Sequence, residues 1–380
     1  MKARKCGDEE EFMEEQQRRD RQMLIPIWKG TTVYCESVFV LEDVFGQIRP
    51  LRLAYPIKRI AEVRSADLTV TYREGKDYGV NEYGELEILR GGNIPYLSWK
   101  EYRYAVFDPE NDENIASADA LGAYHSCDLF CDREGMRAWQ LAVTYEHEES
   151  KLYDVTPIKS EKFGRFLGLL KDGKPVTAVS YGDSITYGWG ASGMKDVRKP
   201  PFCKPYNLAF LDELELRFSA RIRHINRSVS GMGIDWAEKE ENLAGVIKEK
   251  PDLVILAFGM NDAGTVRPCV FRDGLLSVIS KIRAVCPETE FLLISPILPN
   301  PLAAFSAGSS IFHYHAEYPR AYAEAEARLQ GVAAADVTAV HKLLLERKAI
   351  QDTLSNNVNH PNDFMHRIYA QVALKTVLGE

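Results

Sequence analysis

Four residues, the first three of them at the ends of apolar runs, occur in an order that could do acyl-transfer chemistry. Ser184 lies in Val179-Ser180-Tyr181-Gly182-Asp183-Ser184, and Gly231 lies in Ser228-Val229-Ser230-Gly231-Met232-Gly233. Asn261 lies in Phe258-Gly259-Met260-Asn261-Asp262, and His360 in Asn359-His360-Pro361-Asn362-Asp363. A serine hydroxyl is a weak nucleophile until an imidazole within hydrogen-bond reach takes its proton. Charge gathering on a carbonyl oxygen needs fixed donors, which backbone amides and an asparagine side chain supply, and glycine lets the backbone come close. Each residue also has a plain structural reading. Gly182 and Asp183 read as a turn with Ser184 capping the next helix, Asn261 and Asp262 as a turn, and His360 as a loop histidine before a proline. The Gly-x-Ser-x-Gly elbow of α/β-hydrolases is absent, since Ile185 and Thr186 follow Ser184.

Bringing such residues together requires strands that deliver their ends to one edge of a sheet. After Lys174 apolar runs at 176–179, 222–229, 253–258, 291–297 and 337–340 alternate with helical patterns at 206–218, 236–248, 271–285, 321–329 and 364–378. Five strands with helical crossovers predict a doubly wound parallel sheet whose functional loops lie at the strand C-termini. From Ile25 to about Tyr145 the pattern is instead short β-rich runs separated by Gly, Asn and Asp turns, which predicts an antiparallel, jelly-roll-like β-sandwich. The expected organisation is a charged arm over 1–24, a β-sandwich over 25–165 and an α/β domain over 166–380. Trp28, Trp99 and Trp139 of the sandwich suit either a core or a sugar-stacking face. Trp189 and Trp236 suit either a pocket wall or a core.

The order and contexts of the four residues resemble the SGNH hydrolases, also called the GDSL family of esterases and lipases, over roughly Lys174 to Glu380. The resemblance implies a flavodoxin-like α/β/α fold and an esterase that uses neither metal nor cofactor. It makes Ser184 the nucleophile and His360 the general base, with the Ser184 and Gly231 amides and the Asn261 side chain as the oxyanion hole. One position departs from the pattern. The family places Asp three residues before the histidine, where this chain has Asn357. Asp352 or a main-chain oxygen are the alternatives for holding the ring. A literal Asp-x-x-His occurs at Asp363-Phe364-Met365-His366, but the His-Pro-Asn context favours His360, and Asp363 sits where a helix cap is expected. A β-sandwich before such a domain is similar to the arrangement of several carbohydrate esterases. It implies removal of a short acyl group, acetyl above all, from an acylated sugar or related small molecule. A lipase or thioesterase for longer chains, and a catalytically impaired carbohydrate-binding protein, are the rival expectations.

Composition narrows the remaining classes. The 380 residues carry a net charge of −8 with no basic patch, which excludes a nucleic-acid partner. No apolar stretch suits a signal peptide or a membrane span, so a cytoplasmic location and no membrane partner are expected. Seven cysteines, an odd number scattered along the chain, predict reduced thiols rather than a disulfide framework. His125, Cys127 and Cys131 lack a second ligand pair at zinc-finger spacing, so no metal site is expected there. The irregular stretch from Pro296 to Pro319, with Asn300, Phe305, Phe312, His313, Tyr314 and His315, is placed to be a lid or specificity loop.

Overall fold

The computed structural model describes residue 16 and residues 18–104, 115–116, 130–131, 136–301 and 313–379. His125, Cys127, Phe305, Phe312 and most of the charged arm lie outside them. Runs rich in β-branched and aromatic residues form the first layer. They are β1 (Thr32–Phe39), β2 (Arg59–Ser65), β3 (Thr71–Tyr72), β4 (Tyr78–Val80), β5 (Leu86–Ile88), β6 (Ile115–Ala116), β7 (Phe130–Cys131) and β8 (Gln140–Glu146). β1, β8, β2 and β3 pair in that order, all antiparallel, while β4 with β5 and β6 with β7 make separate two-stranded ladders. Among the described residues this region is an antiparallel β region of one four-stranded sheet and two two-stranded ladders, and a jelly-roll-like arrangement is not seen in them. Strands of two or three residues are too short to close a second sheet over the first.

Beyond the helix Gly164–Lys171, the second half forms β9 (Val176–Gly182), β10 (Ile222–Asn226), β11 (Leu253–Ala257), β12 (Glu290–Ile294) and β13 (Val332–Ala335). They are parallel, in the order β10-β9-β11-β12-β13. This is the flavodoxin-like order, and the winding reverses between β9 and β11, where a crevice opens at the strand C-termini. Side chains alternate between the two faces with period two. Leu253, Ile255 and Ala257 of β11 enter one apolar cluster, and Val254 and Leu256 enter the other. Helices 206–218 and 363–378 cover the first face, and 240–247, 268–285 and 318–328 cover the second.

The fifth strand lies earlier than the sequence pattern predicts. Val332–Ala335 is the strand, and Val337 opens the helix Val337–Leu345. Asp336 is the reason: its side chain accepts the Ala339 N–H at 3.0 Å, an N-cap that starts the helix at once. One apolar cluster joins Val38, Val40, Leu53 and Tyr145 of the antiparallel region to Phe364, Ile368 and Val372 of the last helix. Among the described residues no helix is long and apolar enough to cross a membrane.

Candidate active site

The turn after β9 is shaped by two residues. A Cβ on Gly182 would overlap the Ala257 carbonyl of the neighbouring strand and the Thr186 side chain, so only glycine fits. Asp183 then caps the short helix Ser184–Tyr187, its carboxylate accepting the Ile185 N–H at 3.0 Å. The cap is thus Asp183 rather than Ser184, which leaves the serine side chain for another partner. Ser184 occupies the first helical position, where a backbone N–H has no intrahelical acceptor and points out of the helix. Ser184 Oγ lies 3.0 Å from His360 Nε2, across 176 residues of sequence.

The loops after β10 and β11 are tied to this turn and to each other. The Val229 N–H donates to the Gly182 carbonyl at 3.0 Å, and Trp189 Nε1 donates to Ser230 Oγ at 3.0 Å. Gly231 follows at φ +78° with open space where a Cβ would stand, so its backbone is approachable from solvent. Asn261 Nδ2 donates to the Met232 carbonyl at 2.9 Å. Asp262 clamps both loops: its two carboxylate oxygens accept the Ile234 and Gly259 N–H groups at 2.6 and 3.0 Å. Sequence reasoning named Gly231 and Asn261 but missed Asp262, although the residue follows directly in Gly-Met-Asn-Asp. The indole of Trp189 stacks on His360, with centroids 6.2 Å and planes 15° apart, which places it in the wall of the site. Trp236 packs on Tyr181 at 5.9 Å, away from these contacts.

His360 ends a tight turn, and the side chains of Asp352 and Asn357 make hydrogen bonds with other groups. The Asp352 carboxylate is taken by the Phe39 and Ala349 N–H groups at 2.6 and 3.0 Å, with Lys348 Nζ at 3.8 Å. Asn357 is buried at φ +59°, a conformation asparagine tolerates, and its Oδ1 accepts from Tyr102 Oη at 3.2 Å and Asn300 Nδ2 at 3.1 Å. Among the described residues, Asn356 Nδ2 lies 3.0 Å from His360 Nδ1. Nothing in the run Ser355-Asn356-Asn357-Val358-Asn359 distinguishes Asn356 beforehand. His366 is a core histidine, as the His-Pro-Asn context implied. It is fully buried, with Nε2 3.0 Å from the Trp189 carbonyl and Nδ1 accepting the Tyr206 N–H at 3.3 Å. The cap of the last helix is Asn362, whose side chain accepts the Met365 N–H, while Asp363 bonds Arg137 and the Ser192 N–H instead.

Burial sets the protonation of the groups beneath the site. It raises Asp183 to about 7 and Asp262 to about 6, and it lowers His366 and His315 to about 4, so both rings are neutral near pH 7. His315, in the expected lid segment, is held by Nε2 to the Met260 carbonyl at 2.9 Å, next to Asn261. Among the described residues no group of three His, Cys, Asp or Glu side chains could hold a metal ion.

A flavodoxin-like sheet with a serine and a histidine in contact at its switch point is the build of an α/β/α hydrolase. Residues 180–368 match the GDSL-like Lipase/Acylhydrolase family, and this segment is a domain of that family. It is a hydrolase of the acylhydrolase type. A comparison with curated proteins returns no match. Among solved structures, the chain is similar to CEX, a two-domain esterase active on acetylated mannans and co-crystallised with mannopentaose. Identity is 18% and the TM-score 0.44, over 58% of this chain and 55% of that one, so the likeness spans about half of CEX. Axe2, an acetylxylan esterase from Geobacillus stearothermophilus, is 19% identical with a TM-score of 0.42, over 54% of this chain and 95% of that one. An α/β hydrolase from the metagenome of Lake Arreo, Spain, is 23% identical with a TM-score of 0.40, over 52% and 93%.

Proposed function

We propose that this chain is a serine esterase that removes short acyl groups, acetyl above all, from hydroxyls of a carbohydrate or related small molecule. The observation that carries the reading is the 3.0 Å contact between Ser184 Oγ and His360 Nε2, beside the loops of Gly231 and Asn261. In the reaction Ser184 Oγ attacks the ester carbonyl and its proton passes to His360 Nε2. The oxyanion is met by the Ser184 and Gly231 amides and by Asn261 Nδ2. Collapse of the tetrahedral species expels the alcohol, which takes the proton from His360 and leaves an acyl-serine. Water then attacks the acyl carbon, with His360 as base again, and releases the acid.

Polar groups beside the serine and histidine support a polar alcohol: Ser230 and Asn261 lie on the loops after the second and third strands, and the half-buried indole of Trp189 bonds Ser230 and stacks on His360. An indole beside hydroxyl and amide groups suits a sugar ring, whereas a long acyl chain needs a continuous aliphatic groove. Hydrolysis of acetylated sugars and of nitrophenyl esters of rising acyl length, run beside Ser184→Ala, tests the reading. Acetyl is expected to be the preferred acyl group, with kcat in Ser184→Ala lower by at least about three orders of magnitude. Substantial turnover left in Ser184→Ala sinks the mechanism, and a preference climbing beyond about eight carbons sinks the acyl assignment.

A further inference from the structure

The backbone around Trp189 is built to hold its indole in one place. Gly188 and Gly190 flank it at φ +123° and +93°, and a Cβ on Gly190 would overlap the Pro361 carbonyl, next to His360. The Trp189 N–H donates to the Ser184 carbonyl at 3.1 Å, and the Trp189 carbonyl accepts from His366 Nε2 at 3.0 Å. Its main chain is thus pinned to the nucleophile turn on one side and to the last helix on the other. From that anchorage the indole makes two contacts: its face lies along the His360 ring, centroids 6.2 Å and planes 15° apart, and its Nε1–H donates to Ser230 Oγ at 3.0 Å. Ser230 immediately precedes Gly231.

We propose that Trp189 is a positioning residue that holds the plane of the His360 ring with its indole face and the Ser230–Gly231 loop with its N–H. The role in turnover rests on the esterase reading above. The second torsion of a histidine side chain has broad minima, so the side chain alone does little to fix the plane of its ring. A flat partner at 15° removes that freedom and keeps Nε2 aimed at Ser184 Oγ, 3.0 Å away. Gly231, at φ +78° with open space where a Cβ would stand, lacks side-chain packing of its own, and the bond from the indole to the preceding residue steadies its amide. Base and oxyanion donor are set against the same serine through one side chain, and an error of 1 Å at either is costly in rate.

Nitrophenyl acetate carries no sugar to stack, so its turnover reads positioning apart from recognition of the alcohol. In Trp189→Leu, kcat is expected to fall by at least about tenfold with KM changed by less than about twofold. Trp189→Phe keeps a ring against His360 and lacks the N–H, so it should recover most of that loss. Ser230→Ala should lower kcat about threefold, as Trp189→Phe does, and the two together should cost no more than either alone. Without substrate, the ring-proton NMR signals of His360, assigned by their loss in His360→Gln, should shift in Trp189→Leu as the indole ring current is removed. Unchanged kcat in Trp189→Leu overturns the proposal, and so does a rise in KM alone or an unmoved His360 signal. Losses from Trp189→Phe and Ser230→Ala that add in full overturn the tie to the loop, and that pair of variants carries the test if Trp189→Leu does not fold. The expected His360 shift in a chain with no Ser184-dependent hydrolysis would support the contact with Trp189 and sink the esterase reading instead.

Discussion

Asp183 does two jobs that pull against each other. Its carboxylate caps the helix that presents Ser184, and a buried charge there is costly, so its pKa climbs from 3.8 to about 7. Between about pH 4 and 7 the folded chain holds a proton on this group that the unfolded chain has lost. The contribution of Asp183 to stability therefore falls as pH rises through that window and is flat above it. Asn caps helices as well as Asp does and cannot ionise. Denaturant titrations of Asp183→Asn beside the unmodified chain, at several pH values from 4 to 8, should show that the substitution removes a downward slope. Parallel curves would disprove the assignment. At this scale the sequence was informative where a residue stands at a strand end in a fixed order, as Ser184, Gly231 and Asn261 do. It was silent on Asn356, because three asparagines in four residues differ only in which one the turn points at the ring.

The antiparallel sheet grips the element that carries His360. Lys348 and Glu36 are both fully buried and pair at 2.6 Å, and Glu36 also accepts from Tyr145 Oη and the Ala54 N–H. Nearby, Asp352 accepts the Phe39 N–H, Gln140 Nε2 donates to the Gln351 and Leu354 carbonyls, and Asn362 Nδ2 donates to Ser37 Oγ. Breaking a buried pair strands one charge and costs about 3–5 kcal/mol. Lys348→Met should lose stability on that scale in urea, and adding Glu36→Gln should recover part of it by removing the stranded charge. A loss under about 1 kcal/mol for Lys348→Met would mean the pair holds nothing together. The element types of the α/β half were legible from apolar runs alternating with helical patterns. The fifth strand was misplaced because Val332-Ala333-Ala334-Ala335 carries little β signal, whereas Val337 to Val340 is apolar and β-branched. The grip itself left no trace in the pattern, since Asp352 drew notice only as a candidate for holding the His360 ring and Lys348 drew none.

At the scale of the whole molecule, the apolar cluster crosses the expected boundary at residue 165 without a break. A segment cut out at 166–380 would expose Phe364, Ile368, Val372 and Leu354, which are buried in the full chain. It is expected to bind a hydrophobic dye and to lack a cooperative thermal transition, while the full chain melts in one step. A cooperative transition in the isolated segment would show that the two halves fold apart. The ion pair that crosses the boundary also has a place in time. Glu36 and Lys348 stand 312 residues apart, so a chain assembling from its N-terminal side must keep Glu36 in water until Lys348 arrives. The buried pair is therefore completed only when the chain through Lys348 is in place, and the contact between Ser184 and His360 only when the chain through His360 is.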